Sequence, residues 1–288
     1  MKVEVARQGI DILGEGPVWA AEEQALYWID IWWPALQRWQ TDSDEFTQWA
    51  MPAPIGSFAL RRDGGALVAL KTGLHRFDFE TAQLALLANP EADRPDTRFN
   101  DGKCDRQGRF WVGSMDDDGE SRPVGTLYRL DAGDSLHAVR GQVTVSNGLG
   151  WSPDNRTMYY TDSPTRTIVA YDFDPASGGI SNERVFARSE NGFPDGLTVD
   201  AEGYVWSARW DGWQVVRHAP DGSVERVVQM PVARPTSCTF GGPELRHLYV
   251  TSAGYGLSAA DRAAQPLAGS LFVIETDVAG LPEPRFAG

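Results

Sequence analysis

Residues 146–155 read Ser146-Asn147-Gly148-Leu149-Gly150-Trp151-Ser152-Pro153-Asp154-Asn155, and the apolar run Met158-Tyr159-Tyr160 follows. A polar residue stands before a glycine, a strand-like run comes next, a turn breaks it, and a second apolar run begins. The same order recurs. Glu15-Gly16 leads through Pro17-Val18-Trp19 and a polar turn to Leu26-Tyr27-Trp28-Ile29. Asp101-Gly102 leads through Asp105-Arg106-Gln107-Gly108 to Phe110-Trp111-Val112, and Asp195-Gly196 leads through Asp200-Ala201-Glu202-Gly203 to Tyr204-Val205-Trp206. Two further copies are degenerate: Ile55-Gly56 before Leu67-Val68-Ala69, and Thr236-Ser237 before Leu248-Tyr249-Val250.

Aligned on Leu26, Leu67, Phe110, Met158, Tyr204 and Leu248, the copies lie 41 to 48 residues apart. A period in the forties with several short strands per copy is the signature of a β-propeller blade. A third strand-like run follows in each copy, such as Val169, Tyr171 and Phe173. Fourth runs fall at 47–51, 83–87, 139–145, 184–187 and 225–230. The expectation is an all-β, six-bladed β-propeller with four antiparallel strands per blade, forming one domain over 1–288. In each internal copy the fourth run directly precedes the next polar-glycine pair, and the run in that place before Glu15 is 3–6. The N-terminal strand should therefore be the outer strand of the last blade, closing the ring and covering an open edge.

Asp-Gly and Asn-Gly pairs usually mark hairpin turns. Here each copy has its turn downstream, so the polar-glycine pair belongs at the start of the innermost strand, where blades converge on the axis. Glu15, Asp101, Asn147 and Asp195 would then crowd one mouth of the channel, which is costly unless a cation sits among them. Their oxygen donors suit a hard divalent ion such as calcium, magnesium or manganese. The plain alternative is a hydrated polar channel without an ion.

Composition narrows the partners. The 288 residues include 40 Asp and Glu against 26 Lys and Arg, a net charge of -14. This argues against nucleic acid or an anionic membrane surface as partner, since phosphate contacts need a basic face. No apolar run has membrane-spanning length, and the first residues do not read as a signal peptide. With only Cys104 and Cys238, no disulfide framework or metal spacing exists, and both read as buried thiols of a reducing, cytoplasmic compartment. Oligomeric state is not written in the sequence.

The stretches LGEGPVW from Leu13, RFNDGK from Arg98, SNGLGWSPD from Ser146 and PDGLTVDAEGYVW from Pro194 resemble the regucalcin and gluconolactonase (senescence marker protein) family of six-bladed propellers. Its enzymatic members hydrolyse sugar lactones. The resemblance runs from about residue 10 to 280, with xylonolactonase-like features at Gly241-Gly242-Pro243 and Pro266-Leu267-Ala268-Gly269. It implies metal ligands at Glu15, Asn147 and Asp195, with Asp195 also the general base, and substrate contacts at Arg98 and Asn100. It implies one divalent ion, calcium foremost, with zinc, manganese, magnesium and iron(II) as alternatives, and a small sugar lactone as partner. The repeat makes Asp101 a ligand by symmetry, whereas the family uses Asn100, so Asp101 is given a supporting role behind the ligands. A substrate-contacting acid is implied in the loop Asp116-Asp117-Asp118-Gly119-Glu120, with Asp117 and Asp118 as candidates.

Lactone hydrolysis needs a polarised carbonyl, an activated water and a place for oxyanion charge. Asp195 beside an ion would move the proton, and Arg98 and Asn100 would hold a polyhydroxylated ring. A serine hydrolase is disfavoured because no G-x-S-x-G occurs and His75, His137, His218 and His247 lie outside the polar-glycine column. Two rival readings stay open: a non-catalytic calcium-binding propeller, and a metal-dependent esterase or organophosphate hydrolase on the same fold. Trp210 and Trp213, beside Arg209 and Asp211, are candidates for a pocket rim.

Overall fold

The computed structural model describes residues 1–9, 11–117 and 122–288. Alternating apolar runs separated by turns form six four-stranded antiparallel sheets, and these are the blades of a propeller. The innermost strands are Gly14–Ala20, Ile55–Leu60, Thr97–Cys104, Ser146–Trp151, Phe193–Val199 and Pro235–Gly241, one for each of blades I to VI. In blade IV the remaining strands are Thr157–Asp162, Thr167–Asp174 and Gly179–Arg188. That outer strand starts earlier than the run 184–187, because its largely exposed polar first half pairs through the backbone and through Asn182 to Asp172 and Tyr171 to Glu183 side-chain bonds at 2.7 and 2.6 Å. Blade VI is completed from the other end of the chain. Val3–Arg7 pairs with Leu271–Glu275 in the register Val3↔Ile274, Glu4↔Val273, Val5↔Phe272 and Arg7↔Leu271, so the ring closes with the N-terminal strand outermost.

Aromatic and aliphatic side chains fill the wedges between blades. Tyr27, Phe58 and Phe77 meet Trp49 and Phe79 between blades I and II. Trp111, Trp151, Tyr160 and Phe173 fill the wedge between III and IV, and Trp206, Phe240 and Phe272 the one between V and VI. Two of the Asp-x-x-Gly turns also anchor this packing. Asp105 accepts the Trp111 indole at 3.0 Å and Asp200 the Trp206 indole at 2.9 Å, each six residues downstream. Among the described residues no helix is long and apolar enough to cross a membrane, and the single α-helix, Ala259–Ala264, lies in a blade VI loop.

Every inner strand shows a register shift at or next to its polar-glycine step, including Glu15/Val18, Phe99/Gly102, Asn147/Leu149 and Pro194/Leu197. Ile55/Ser57 and Pro235/Cys238 show that the degenerate copies keep it. The pairs are thus β-bulges rather than hairpin turns. A bulge twists its strand and re-aims a side chain, and here the side chain before the glycine turns toward the axis. Crowding explains two of the glycines: a Cβ at Gly148 would stand 2.5 Å from the Asp195 carbonyl oxygen, and one at Gly196 2.1 Å from Ser237 Oγ, whereas Gly16 has open space and is instead set by its left-handed φ of +52°.

Candidate active site and ion pocket

At the mouth formed by the bulges, Glu15, Asn147 and Asp195 are all buried, at 7%, 6% and 4% exposure. Glu15 curls back so that its Oε2 accepts the Gly16 amide at 2.9 Å. Asp101 makes the same contact with Gly102 at 2.7 Å. Asn147 is pinned from behind: its Nδ2 donates to Ser163 Oγ at 3.0 Å, and that hydroxyl donates to the Pro194 carbonyl at 2.7 Å. With its NH2 end turned to Ser163, Asn147 Oδ1 is left without a partner. Asp195 Oδ1 is likewise buried and unpartnered.

Two buried acceptor oxygens without donors, beside a second buried carboxylate, form an arrangement that an apolar or purely hydrogen-bonded core avoids. Burial pushes the Glu15 carboxyl well above the usual range, and the nearby Asp195 and Asp101 charges add to the shift, with Arg98 working against it. Asp195 is raised the same way, by burial first and then by Asp101, against weaker opposition from Asn147 and the Gly196 amide. Asp101 is pushed up to about 6 by burial, with the Lys103 charge pulling it down. Clustered carboxylates that repel one another fit a hard cation, and the donor set of two carboxylates and one carboxamide oxygen matches what such ions take.

Arg98 rises beside this group and is buried at 7% exposure. Its Nη1 donates to Asn100 Oδ1 at 2.8 Å and to the Phe99 carbonyl at 3.0 Å. Its Nε is 3.0 Å from Asp117 Oδ1, an ion pair by distance in which neither atom makes a directed hydrogen bond. Asp117 also pairs with Lys71 at 2.5 Å. Asn100 is engaged at both ends, since its Nδ2 donates to the Ser146 carbonyl at 2.8 Å. It therefore ties Arg98 to the strand that carries Asn147. The structure thus gathers Glu15, Asn147, Asp195, Arg98, Asn100 and Asp117, with Asp101 just below. Asp118 lies outside the described residues.

Residues 13–254 match the SMP-30/Gluconolactonase/LRE-like region. The chain belongs to this family. An L-arabinolactonase of Azospirillum brasilense is 42% identical over 96% of this chain and 92% of its own length. A 6-deoxy-6-sulfogluconolactonase of Pseudomonas putida is 40% identical over 96% of both chains. Among solved structures, a calcium-binding protein, regucalcin, from Agrobacterium tumefaciens superposes with a TM-score of 0.93 at 29% identity, covering 98% of this chain and 96% of that one.

Within this family member the mouth has features that the sequence motifs did not signal. The Arg98 guanidinium lies 5.5 Å from the centre of the Trp32 ring, whose indole stacks on Tyr255 at 5.7 Å. Blades I and VI thereby brace an arginine supplied by blade III. Ser163 sits in a short 3₁₀ turn after Thr157–Asp162, where the sequence shows only Ser-Pro-Thr. Of the two tryptophans expected at the rim, Trp213 is 43% exposed. Trp210 is covered by the Arg234 guanidinium at 4.6 Å, itself paired with Asp211 at 2.6 Å. The histidines are occupied elsewhere: His218 is buried against Arg209, and His137 faces Asp131 on the outside. Both cysteines are free and buried.

Proposed function

We propose that this protein hydrolyses a sugar lactone to the corresponding aldonic acid with the help of one divalent ion held by Glu15, Asn147 and Asp195. The class is carboxylic-ester hydrolase of the lactonase kind, the activity for which the A. brasilense and P. putida relatives are named. The observation that carries the ion is the pair of unpartnered buried oxygens, Asn147 Oδ1 and Asp195 Oδ1, next to the Glu15 carboxylate. A divalent ion bound there supplies Lewis-acid polarisation of an ester carbonyl and acidifies water.

The rest of the chemistry falls to the chain. Asp195 takes a proton from the water as its oxygen bonds to the carbonyl carbon. The tetrahedral intermediate then collapses, the bond between that carbon and the ring oxygen breaks, and Asp195 returns the proton to the departing oxygen, giving a hydroxy acid. Arg98, held by Asn100, Asp117 and Trp32, offers fixed donors to substrate oxygens, so little orientation is lost when charge develops. An acidic protein with net charge -14 repels anions over its surface, which favours neutral polyol lactones.

The test is acid release from five- and six-carbon aldonolactones by chelated protein, with calcium, magnesium, manganese, zinc and iron(II) restored one at a time. Turnover should need an ion, and Asp195→Asn should lower kcat by about 100-fold or more, the usual contribution of a positioned proton carrier. Full activity of the chelated protein would overturn the ion's role. A second reading draws on the A. tumefaciens relative described as a calcium-binding protein: the same oxygens would hold calcium without catalysis. Tight binding with no turnover on any lactone would favour it.

A further inference from the structure

Below Asp101 the axial channel holds a second, largely buried charge pair, with the Lys103 side chain 18% and the Glu283 side chain 9% exposed. Lys103 Nζ lies 2.8 Å from Glu283 Oε1 and 3.5 Å from the Leu197 carbonyl oxygen. Glu283 arrives on the C-terminal segment, which crosses the face opposite the mouth. On blades VI and V that segment is tied by Gly280 N to the Leu245 carbonyl at 2.7 Å and by Ala201 N to the Ala279 carbonyl at 2.9 Å. Beyond the axis it is tied to blades II and III by Phe286 N to the Leu60 carbonyl and Ala287 N to the Gly108 carbonyl, both at 2.9 Å. Phe286 is fully buried. Between these anchors Glu283 enters the channel with its side chain 9% exposed, and its Oε1 also accepts from Thr239 Oγ1 at 3.2 Å. A cavity lined by Gly16, Asp101, Lys103, Leu197, Cys238 and Glu283 lies along this path.

The pairing of charges follows one rule at both ends of the site. Two cations flank the carboxylate group, Arg98 at the mouth and Lys103 below, and each is taken by an acid outside the candidate ligand set, Asp117 and Glu283. Among the described residues, Glu15 and Asp195 themselves have no ion-pair partner. Removing one member of a buried pair leaves the other charge uncompensated and seeking a counter-charge. Asp101, two residues before Lys103 on the same strand and lining the same cavity, is the acid left to act on the Lys103 charge, and it in turn acts on Glu15 and Asp195. An internal ammonium drawn into that group would compete with a divalent ion for the same field.

We propose that Glu283 is a positioning residue for the ion pocket: it holds the Lys103 ammonium on the far side of Asp101 and so keeps Glu15 and Asp195 available to a divalent cation. The inference rests on the divalent-ion reading above. It gives the C-terminal strap a role in the electrostatics of the opposite face, in addition to covering the end of the channel.

The experiment is calorimetric titration of chelated full-length protein with calcium alone and with manganese alone. Glu283→Gln should raise Kd by ~10-fold or more, since one unbalanced buried charge near the site acts over short distances at low effective dielectric. The double variant Glu283→Gln with Lys103→Met should return Kd to within about 3-fold of wild type, because the unpaired cation is gone. Lys103→Met alone should bind at least as tightly as wild type, and it keeps the test alive if Glu283→Gln does not fold. Wild-type affinity in Glu283→Gln, or a ~10-fold loss in Lys103→Met, would overturn the proposal, as would a double variant as weak as the single. If wild type binds neither ion, the divalent-ion reading fails and takes this inference with it. If wild type binds and the variants do not differ, only the inference fails.

Discussion

Ser163→Ala separates the architecture of the pocket from its ligands. The Ser163 hydroxyl is buried, accepts from Asn147 Nδ2 at 3.0 Å and donates to the Pro194 carbonyl at 2.7 Å. Its removal leaves one buried donor and one buried acceptor unmet. At roughly 1–3 kcal/mol for each such group, partly relieved by relaxation, the variant should lose roughly 2 to 4 kcal/mol of stability. Function should suffer by a second route. Without the Ser163 anchor on its NH2 end, the Asn147 carboxamide can turn over and present hydrogens where Oδ1 now faces the pocket. Loss of such a supporting hydrogen bond typically weakens an ion site by about 10- to 100-fold. Urea unfolding of the chelated protein reads the first effect, and calcium titration under conditions where the variant is fully folded reads the second. Ser163→Thr, which keeps the hydroxyl, should recover most of the affinity. A variant that lost stability yet bound calcium with the wild-type Kd would refute the idea that Ser163 sets the amide's orientation.

Deleting residues 1–8 removes the outer strand of blade VI and bares the Leu271–Glu275 edge; with four register pairs lost at roughly 0.5–1.5 kcal/mol per hydrogen bond, stability should fall by about 2 to 6 kcal/mol. Light scattering should also report association through the open edge, and unfolding unchanged within about 0.5 kcal/mol would contradict the ring-closure argument. His218 is buried and accepts from Arg209 at Nε2, 2.6 Å away, while its Nδ1 faces the Gly222 carbonyl. Burial and the Arg209 charge hold its pKa down at about 4. With the folded pKa depressed, stability is complete above the unfolded value near 6.5 and is lost as pH falls toward 4, so going from pH 7 to 5 should cost ~2 kcal/mol. Asp11, raised to about 6 by burial, works in the opposite sense over that range. The contribution is therefore read as the difference between wild type and His218→Gln in urea unfolding at the two pH values, and equal losses in both would count against it.

What the sequence made legible was local. Each polar-glycine pair and the turn after it lie within about fifteen residues, so a repeat could be seen and counted, and its spacing carried both the ring and the meeting of Glu15, Asn147 and Asp195 at one mouth. What it concealed was contact between distant parts of the chain. Lys103 and Glu283, Trp32 and Tyr255, and Lys71 and Asp117 come from separate blades or from the tail, and no short pattern announces them. Asp105 and Asp200 occupy an intermediate case: both stand in recognisable turns, but the indole each accepts is visible only once the hairpin brings residue i+6 back over it. Asp101 shows the limit of symmetry. It repeats the backbone contact of Glu15, but the neighbouring Lys103 and Glu283 give it surroundings that no other copy shares.

The two degenerate copies show how a nearly symmetric ring becomes a one-sided site. Both retain the bulge, so the backbone device survives the loss of the polar residue. In blade II the position is Ile55, fully buried and part of the apolar cluster with Phe58 and Leu70. In blade VI it is Thr236, whose hydroxyl donates to the Gly14 carbonyl at 2.6 Å. That bond joins blade VI to the residue immediately before Glu15, at the junction where the ring closes. A carboxylate at either place would add to a group whose members already raise one another's pKa, so the apolar and hydroxyl side chains there keep further negative charge away from the three carboxylates already present. The same bulge thus serves three ends: a charged oxygen in blades I, III and V, a neutral one in IV, and packing or inter-blade bonding in II and VI.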